Sequence, residues 1–292
     1  MATLSSIASP ITVSPVTTVG FIGLGDQGEP MAVRIARAGF DLAVFARRIA
    51  QTDTARAAGA TVVESVAELA ARSDLVGVCV GNDADVVEVA DAALPHLRPG
   101  SILALHSTVH PETCRRIGAS AARSGVAVVD APVSGGRARA ATGTLTTMVG
   151  GETPAVDAAR PVIDAFSALV VHAGGIGTGQ ILKLVNNYAF TAQVGVLADL
   201  VELCAALELD VEQAATALAA STGGSRATEM FVAGGCAHPF PRHSDGRRRG
   251  AELLSKDVAH MDAVAAAAGV SFPRTLDRMA RHGLAIASDA PD

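Results

Sequence analysis

The stretch Val19-Gly20-Phe21-Ile22-Gly23-Leu24-Gly25-Asp26-Gln27-Gly28 decides how this chain is read. An apolar run gives way at once to a G-x-G-x-x-G turn, and an amphipathic stretch, Pro30 to Ala38, follows. Strand, turn and helix in that order are the setting in which such a turn holds a dinucleotide. Gly23 permits the tight turn, Gly25 lets the backbone approach a pyrophosphate, and Gly28 lets helix and strand pack closely. The pyrophosphate would lie at the helix N-terminus, where backbone N–H groups and the helix dipole favour an anion. Gly23, Leu24, Gly25, Asp26, Gln27 and Gly28 are therefore the first candidate cofactor-binding residues.

Outward from this turn, short apolar runs alternate with helical stretches. The runs are Thr17–Ile22, Leu42–Phe45, Leu75–Val80, Ile102–Leu105, Val126–Asp130, Thr144–Val149 and Ala168–His172. Helices are predicted over Pro30–Ala38, Asp83–Ala93, Pro111–Ala122 and Pro154–Phe166, with Pro111 and Pro154 placed where a first helical turn tolerates proline. This alternation predicts a parallel sheet covered by helices on both faces. After about Gly179 the strand signal stops. Gln180–Leu209, Val211–Ala220, Ala251–Ala268 and Arg274–Ala287 all carry helical periodicity. The expected fold class is α/β: a Rossmann dinucleotide-binding domain over 16–178, then an all-α domain over 179–292, expected to serve substrate binding and dimerisation. Residues 1–15, MATLSSIASPITVSP, lack Lys, Arg and a long apolar run, so they read as a flexible N-terminal extension and not a signal peptide. Gly234–Gly250, GGCAHPFPRHSDGRRRG, reads as a basic surface loop.

The 292 residues are 49% apolar and 18% charged, which suits one or two packed domains. A formal charge of −6 with no Trp and one Tyr argues against a nucleic-acid partner. Cys79, Cys114, Cys204 and Cys236 form no CxxC pair, and a reducing, cytoplasmic location is expected. No membrane span is expected, because no window holds an uninterrupted apolar run of the roughly 18 residues required. No metal-ligand pattern is present.

The second apolar run ends in Ala46-Arg47-Arg48, where an NAD enzyme places an acidic residue on the ribose 2′-hydroxyl. Two arginines suit a 2′-phosphate through forked donors. NADP is therefore expected, with NAD as the alternative. Three further polar patches follow strands: His106-Ser107-Thr108, Asp130-Ala131-Pro132-Val133-Ser134-Gly135-Gly136, and Gly177-Thr178-Gly179-Gln180-Ile181-Leu182-Lys183-Leu184-Val185-Asn186-Asn187. Lys183 and Asn187 share one helix face. Ile181, Leu182, Leu184 and Val185 surround Lys183, and such desolvation favours the neutral amine. His106 is read as a strand-end residue lining the site; no acidic partner or G-x-S-x-G elbow supports a Ser-His scheme.

With these patches in order, and with Lys256-Asp257 near the end, the chain resembles the β-hydroxyacid dehydrogenase family over roughly residues 16 to 280. That family includes 3-hydroxyisobutyrate dehydrogenase, tartronate semialdehyde reductase and relatives of 6-phosphogluconate dehydrogenase. D-A-P-V-S-G-G joined to K-x-x-N-N carries most of the specificity. The resemblance implies an NAD(P)-dependent oxidoreductase of the EC 1.1.1.- class. It implies Lys183 as general acid/base, and Ser134, Gly135, Gly136 and Asn187 on the substrate. It also implies Thr108 and Lys256 beside the nicotinamide, with Val80 and Gly81 along the adenosine side. The implied substrate is a small hydroxy acid or its semialdehyde.

The chain departs from the family's pattern at Asp26-Gln27, at Glu29, at Val80-Gly81, and through the basic segment 237–250, whose Arg242, His243 and Arg247 are candidate anion contacts. An imine reductase of the same architecture and a non-catalytic NADP sensor are the alternatives, and retention of Lys183 with its companions disfavours both. The long helix and apolar second domain predict a homodimer or homotetramer.

Overall fold

The computed structural model describes residues 11–236 and 244–288. The first part of the chain alternates as the sequence predicts. In order come β1 (Thr18–Ile22), α1 (Gly28–Arg37), β2 (Asp41–Phe45), α2 (Asp53–Ala57), β3 (Thr61–Val62), α3 (Val66–Ala71), β4 (Leu75–Val78) and α4 (Asp83–Ala93). Next are β5 (Ile102–Leu105), α5 (Pro111–Ala122), β6 (Ala127–Asp130), β7 (Val133–Ser134), α6 (Gly136–Thr142), β8 (Leu145–Gly150), α7 (Thr153–Asp164) and β9 (Ser167–Gly174).

The strands form one sheet in the order β3-β2-β1-β4-β5-β6-β8-β7, with β9 added beside β8. β1 lies between β2 and β4, parallel to both, with Phe21 level with Val44 and Gly77. The strand order reverses there, so the crevice at the carboxyl ends of β1 and β4 is the ligand position of a doubly wound sheet. Side chains alternate across the sheet. Val19, Phe21, Ile102 and Ala104 enter one apolar layer; Ile22, Leu103 and Leu105 enter the other. Each such Leu, Ile or Phe contributes roughly 1.5–3 kcal/mol by leaving water.

The sheet is parallel from β3 to β6, as expected, and departs from that at one side. β8 runs antiparallel to β6 and to β7, and parallel to β9. The short link through α6 does not make the long crossover that a parallel neighbour of β7 needs, and α7 then supplies one between β8 and β9. A correction concerns residues 11–15. Ile11 and Val13, together with Val16, pack on the first apolar layer, and the Ser14 N–H donates to the Gly100 carbonyl at 3.1 Å. Alternate apolar positions let this segment lie along the domain surface.

The chain divides into two compact units after Lys183. The second unit is helical: the greater part of α8 (Thr178–Ala206), then α9 (Val211–Ala219), α10 (Arg226–Ala233), α11 (Ser244–Ala268) and α12 (Arg274–Ser288). Val194 and Leu197 of α8 pack with Ala215 of α9 and Phe231 of α10. Tyr188 and Ala192 pack with Val258 of α11 and Ala280 of α12. By length and composition alone α8 could cross a membrane, with a mean hydropathy of 1.5 over its most apolar window. Only part of its apolar surface enters these clusters, and Val185, Val196 and Leu203 stay exposed. Residues 244–250, read from sequence as loop, belong to α11. Arginine is a good helix former, and Gly246 and Gly250 weaken a helix without ending it. Residues 237–243, the rest of that segment, lie outside the described residues.

Candidate active site

The glycine turn joins β1 to α1, and its geometry separates the three glycines. Gly23 has φ +95°, and a Cβ there would lie 2.2 Å from the Cys79 carbonyl oxygen of the neighbouring strand end. A Cβ on Gly28 would lie 1.9 Å from the Gly23 carbonyl oxygen. A Cβ on Gly25 would meet nothing within 4 Å. The first and third glycines are thus required by the fold, whereas the middle one leaves bare backbone facing open space at a helix N-terminus. That cradle fits a pyrophosphate. Glu29, in the first turn of α1, would oppose an anion, but Arg137 of α6 holds its carboxylate at 3.1 Å and also donates to the Asp26 carbonyl. The pair offsets the acidic departure noted in the sequence.

Arg47 and Arg48 follow β2 and are exposed. Arg47 donates to Glu88 at 2.8 Å and to Asp85 at 3.4 Å, both on α4. Val80 and Gly81 follow β4, and Ser107 and Thr108 follow β5. The Val80 N–H donates to Ser107 Oγ at 2.8 Å, which ties these two strand-end loops together. Ser134 ends β7, and Gly135 and Gly136 follow with φ of 138° and 71°.

Gly177 and the first turn of α8 are held by a side chain distant in sequence. Asp130, at the end of β6 and fully buried, accepts the Gly177 N–H at 2.6 Å on one oxygen and the Gln180 N–H at 2.8 Å on the other. Burial pushes the Asp130 carboxyl above its usual range, against the lowering by those N–H groups. Gln180, also fully buried, accepts the Val109 N–H at 3.1 Å and donates to the Ser107 carbonyl at 2.9 Å. Lys183 follows one turn later and is 7% exposed. The first unit therefore carries the glycine turn, both arginines, Val80–Gly81, Thr108, Ser134–Gly136 and Lys183, all on loops or helix starts beyond strand ends.

Asn187 and Lys256 belong to the second unit. Asn187 donates its side-chain N–H to Asp257 at 2.5 Å and accepts from Asn186 at 2.9 Å. Lys256 lies 3.5 Å from the other Asp257 oxygen. Asp257 is 5% exposed, so this carboxylate is a buried anchor for both residues. No role was assigned from sequence to Asp130, Gln180 or Asp257. The first two act through bonds to residues 47 to 73 positions away, which no local pattern announces.

His106 is corrected. Its ring is 3% exposed, stacked on Phe21 at 5.9 Å and edge-on to Phe166 at 5.4 Å. Nδ1 lies 2.9 Å from the Ala131 carbonyl, so that nitrogen carries the proton and donates. Burial pushes the imidazole down to about 4. It is a neutral core histidine, not a wall of the site.

A sheet that reverses order at β1 and β4, with an open glycine cradle at the reversal, defines a Rossmann-type dinucleotide-binding protein. Comparison with known proteins narrows this. Residues 18–175 match the NAD-binding domain of 6-phosphogluconate dehydrogenase. Residues 177–287 match the NAD-binding domain of NADP-dependent 3-hydroxyisobutyrate dehydrogenase. The chain is 34% identical to an NAD-dependent L-serine dehydrogenase of Pseudomonas aeruginosa, over 87% of each chain. It is 30% identical to the mitochondrial 3-hydroxyisobutyrate dehydrogenase of Pongo abelii, over 85% of this chain and 75% of that one. A Mycobacterium tuberculosis 3-hydroxyisobutyrate dehydrogenase structure with L-serine superposes with a TM-score of 0.80 at 28% identity, covering 94% of each chain. The chain belongs to the β-hydroxyacid dehydrogenase family, the NAD(P)-dependent dehydrogenases that act on CH–OH groups.

Proposed function

We propose that this chain interconverts a small 3-hydroxy acid and its semialdehyde or keto form by hydride transfer with NADP, Lys183 moving the proton. The observation that carries this reading is the burial of Lys183 on α8, one turn before Asn187, in a family whose named relatives act on L-serine and 3-hydroxyisobutyrate. Both of those are 3-hydroxy acids. A nicotinamide bound at the glycine cradle would supply the hydride acceptor or donor. In oxidation neutral Lys183 takes the hydroxyl proton as the hydride leaves the same carbon, and the C–O bond becomes a carbonyl. In reduction protonated Lys183 returns that proton to the alkoxide oxygen. Ser134 and the backbone of Gly135 and Gly136 bind the substrate carboxylate or hydroxyl, and Asn187, fixed by Asp257, holds the substrate. Thr108 and Lys256 border the nicotinamide, and Val80 and Gly81 line the adenosine side.

NADP is favoured by Arg47 and Arg48 at the end of β2, where a 2′-phosphate would lie. Arg47 is already paired with Glu88, but both side chains are well exposed, at 64% and 69%. Such a pair is worth at most ~1 kcal/mol, so exchanging it for a phosphate costs little. The test is turnover of L-serine and 3-hydroxyisobutyrate with NADP+ and with NAD+. Oxidation of either acid with kcat/KM higher for NADP+ supports the reading. No turnover of these or related 3-hydroxy acids refutes it, and an NAD+ preference refutes the cofactor assignment alone.

We further propose a homodimer or homotetramer. In the second unit, Ala192, Val196, Leu197, Leu200, Leu276 and Met279 line an apolar groove of about 520 Å³, and Val196, Leu203 and Leu207 are well exposed. A cytoplasmic location fits the four cysteines, none of which is in a disulfide.

A further inference from the structure

The bonds made by Gln180 single it out. Its side chain is fully buried and spans Thr108, accepting the N–H of the following residue, Val109, at 3.1 Å and donating to the carbonyl of the preceding one, Ser107, at 2.9 Å. Ser107 continues the chain of bonds by accepting the Val80 N–H at 2.8 Å. The backbone N–H of Gln180 is meanwhile fixed to Asp130 at 2.8 Å. Gln180 and Lys183 are three residues apart on α8, so they lie on one face. One amide therefore connects the helix that carries Lys183 to the loop that carries Thr108. Only a side chain with both a donor and an acceptor at that length can make the bridge.

We infer that Gln180 is a positioning residue for hydride transfer, setting the register between the Lys183 helix and the Thr108 loop. The inference rests on the proposed function, in which Thr108 borders the nicotinamide and Lys183 the reacting hydroxyl. A misplacement of about 1 Å between reacting groups can slow a reaction 10²-fold, while affinity, set by many contacts, changes little. A residue that merely stabilised the fold would lower the unfolding temperature and leave kcat per folded enzyme unchanged.

The experiment compares wild type, Lys183→Ala, Gln180→Met and Gln180→Glu in steady-state and single-turnover kinetics with protiated and deuterated substrate. Met keeps the length and loses both bonds. Glu keeps the acceptor for Val109 and loses the donor to Ser107. The expected result is a kcat 10- to 100-fold lower in both Gln180 variants, KM for substrate and cofactor within about threefold of wild type, and a larger deuterium isotope effect. A kcat per folded enzyme within twofold of wild type in either variant overturns the inference, whatever happens to thermal stability. Failure of both variants to fold overturns it too, because Gln180 would then be a folding element. If wild type turns over no 3-hydroxy acid, or Lys183→Ala retains full turnover, the proposed function falls first and the inference with it. If those controls behave as proposed and the Gln180 variants keep kcat, the inference alone falls.

Discussion

His106 shows how far a single residue's environment outweighs its type. Next to a Ser-Thr pair at a strand end it reads as part of a site, yet Phe21 and Phe166 enclose its ring in the core. Because burial depresses its protonation to about 4, the unfolded chain binds a proton between roughly pH 6.5 and 4 that the folded chain refuses. Stability from this group is full above pH 6.5 and falls as pH drops through that window, by on the order of 3 kcal/mol in total. Urea unfolding from pH 7 to 4 should show this slope in wild type and a shallower one in His106→Gln; equal slopes would contradict the assignment. Asp257 is the corresponding case at the proposed substrate site. Asp257→Ala releases the Asn187 amide, and the expected result is a substrate KM raised about tenfold, measured beside an unchanged cofactor Kd. Ser134, Lys183 and Asn187 stand out in the sequence because their types and spacing form a pattern, and their proposed roles await kinetic tests. Asp130, Gln180 and Asp257 do not stand out, because their work is done by side-chain bonds between segments far apart in sequence.

Elements were legible where the chain punctuates them. α4 and α5 fall at their predicted bounds: Asn82 caps the first by accepting the Asp85 N–H at 2.9 Å, and Pro111 opens the second. β3 and β7 have two residues each, too few for any periodicity, and α10 follows a Gly-rich turn that hides its start. Strand direction is not written in a strand's own residues, so the antiparallel pairing of β8 with β6 and β7 does not show in the alternation. The crossing of α8 and α12 yields an element-scale prediction. A Cβ on Gly283 would lie 1.9 Å from the Thr191 carbonyl oxygen, so the backbones meet there without room for a methyl group. Gly283→Ala should destabilise by roughly 1–3 kcal/mol, as overpacking does, and lower the thermal midpoint by several degrees. An unchanged midpoint would show that the two helices can separate freely.

For the whole molecule, the alternation that opens the chain and the helical run that closes it define the architecture, and the glycine cradle at the strand reversal defines the cofactor class. Light scattering at micromolar concentration should give the mass of a dimer or a tetramer; a single species at the 29.4 kDa monomer mass would refute the proposed assembly. The central claim is narrower: a buried lysine at the start of α8 moves the proton. Its most direct test is Lys183→Ala, with NADPH binding followed by fluorescence and turnover followed by absorbance in the same preparation. The account predicts cofactor affinity near wild type and turnover lower by roughly 10²- to 10⁴-fold. Turnover within a few-fold of wild type would contradict it.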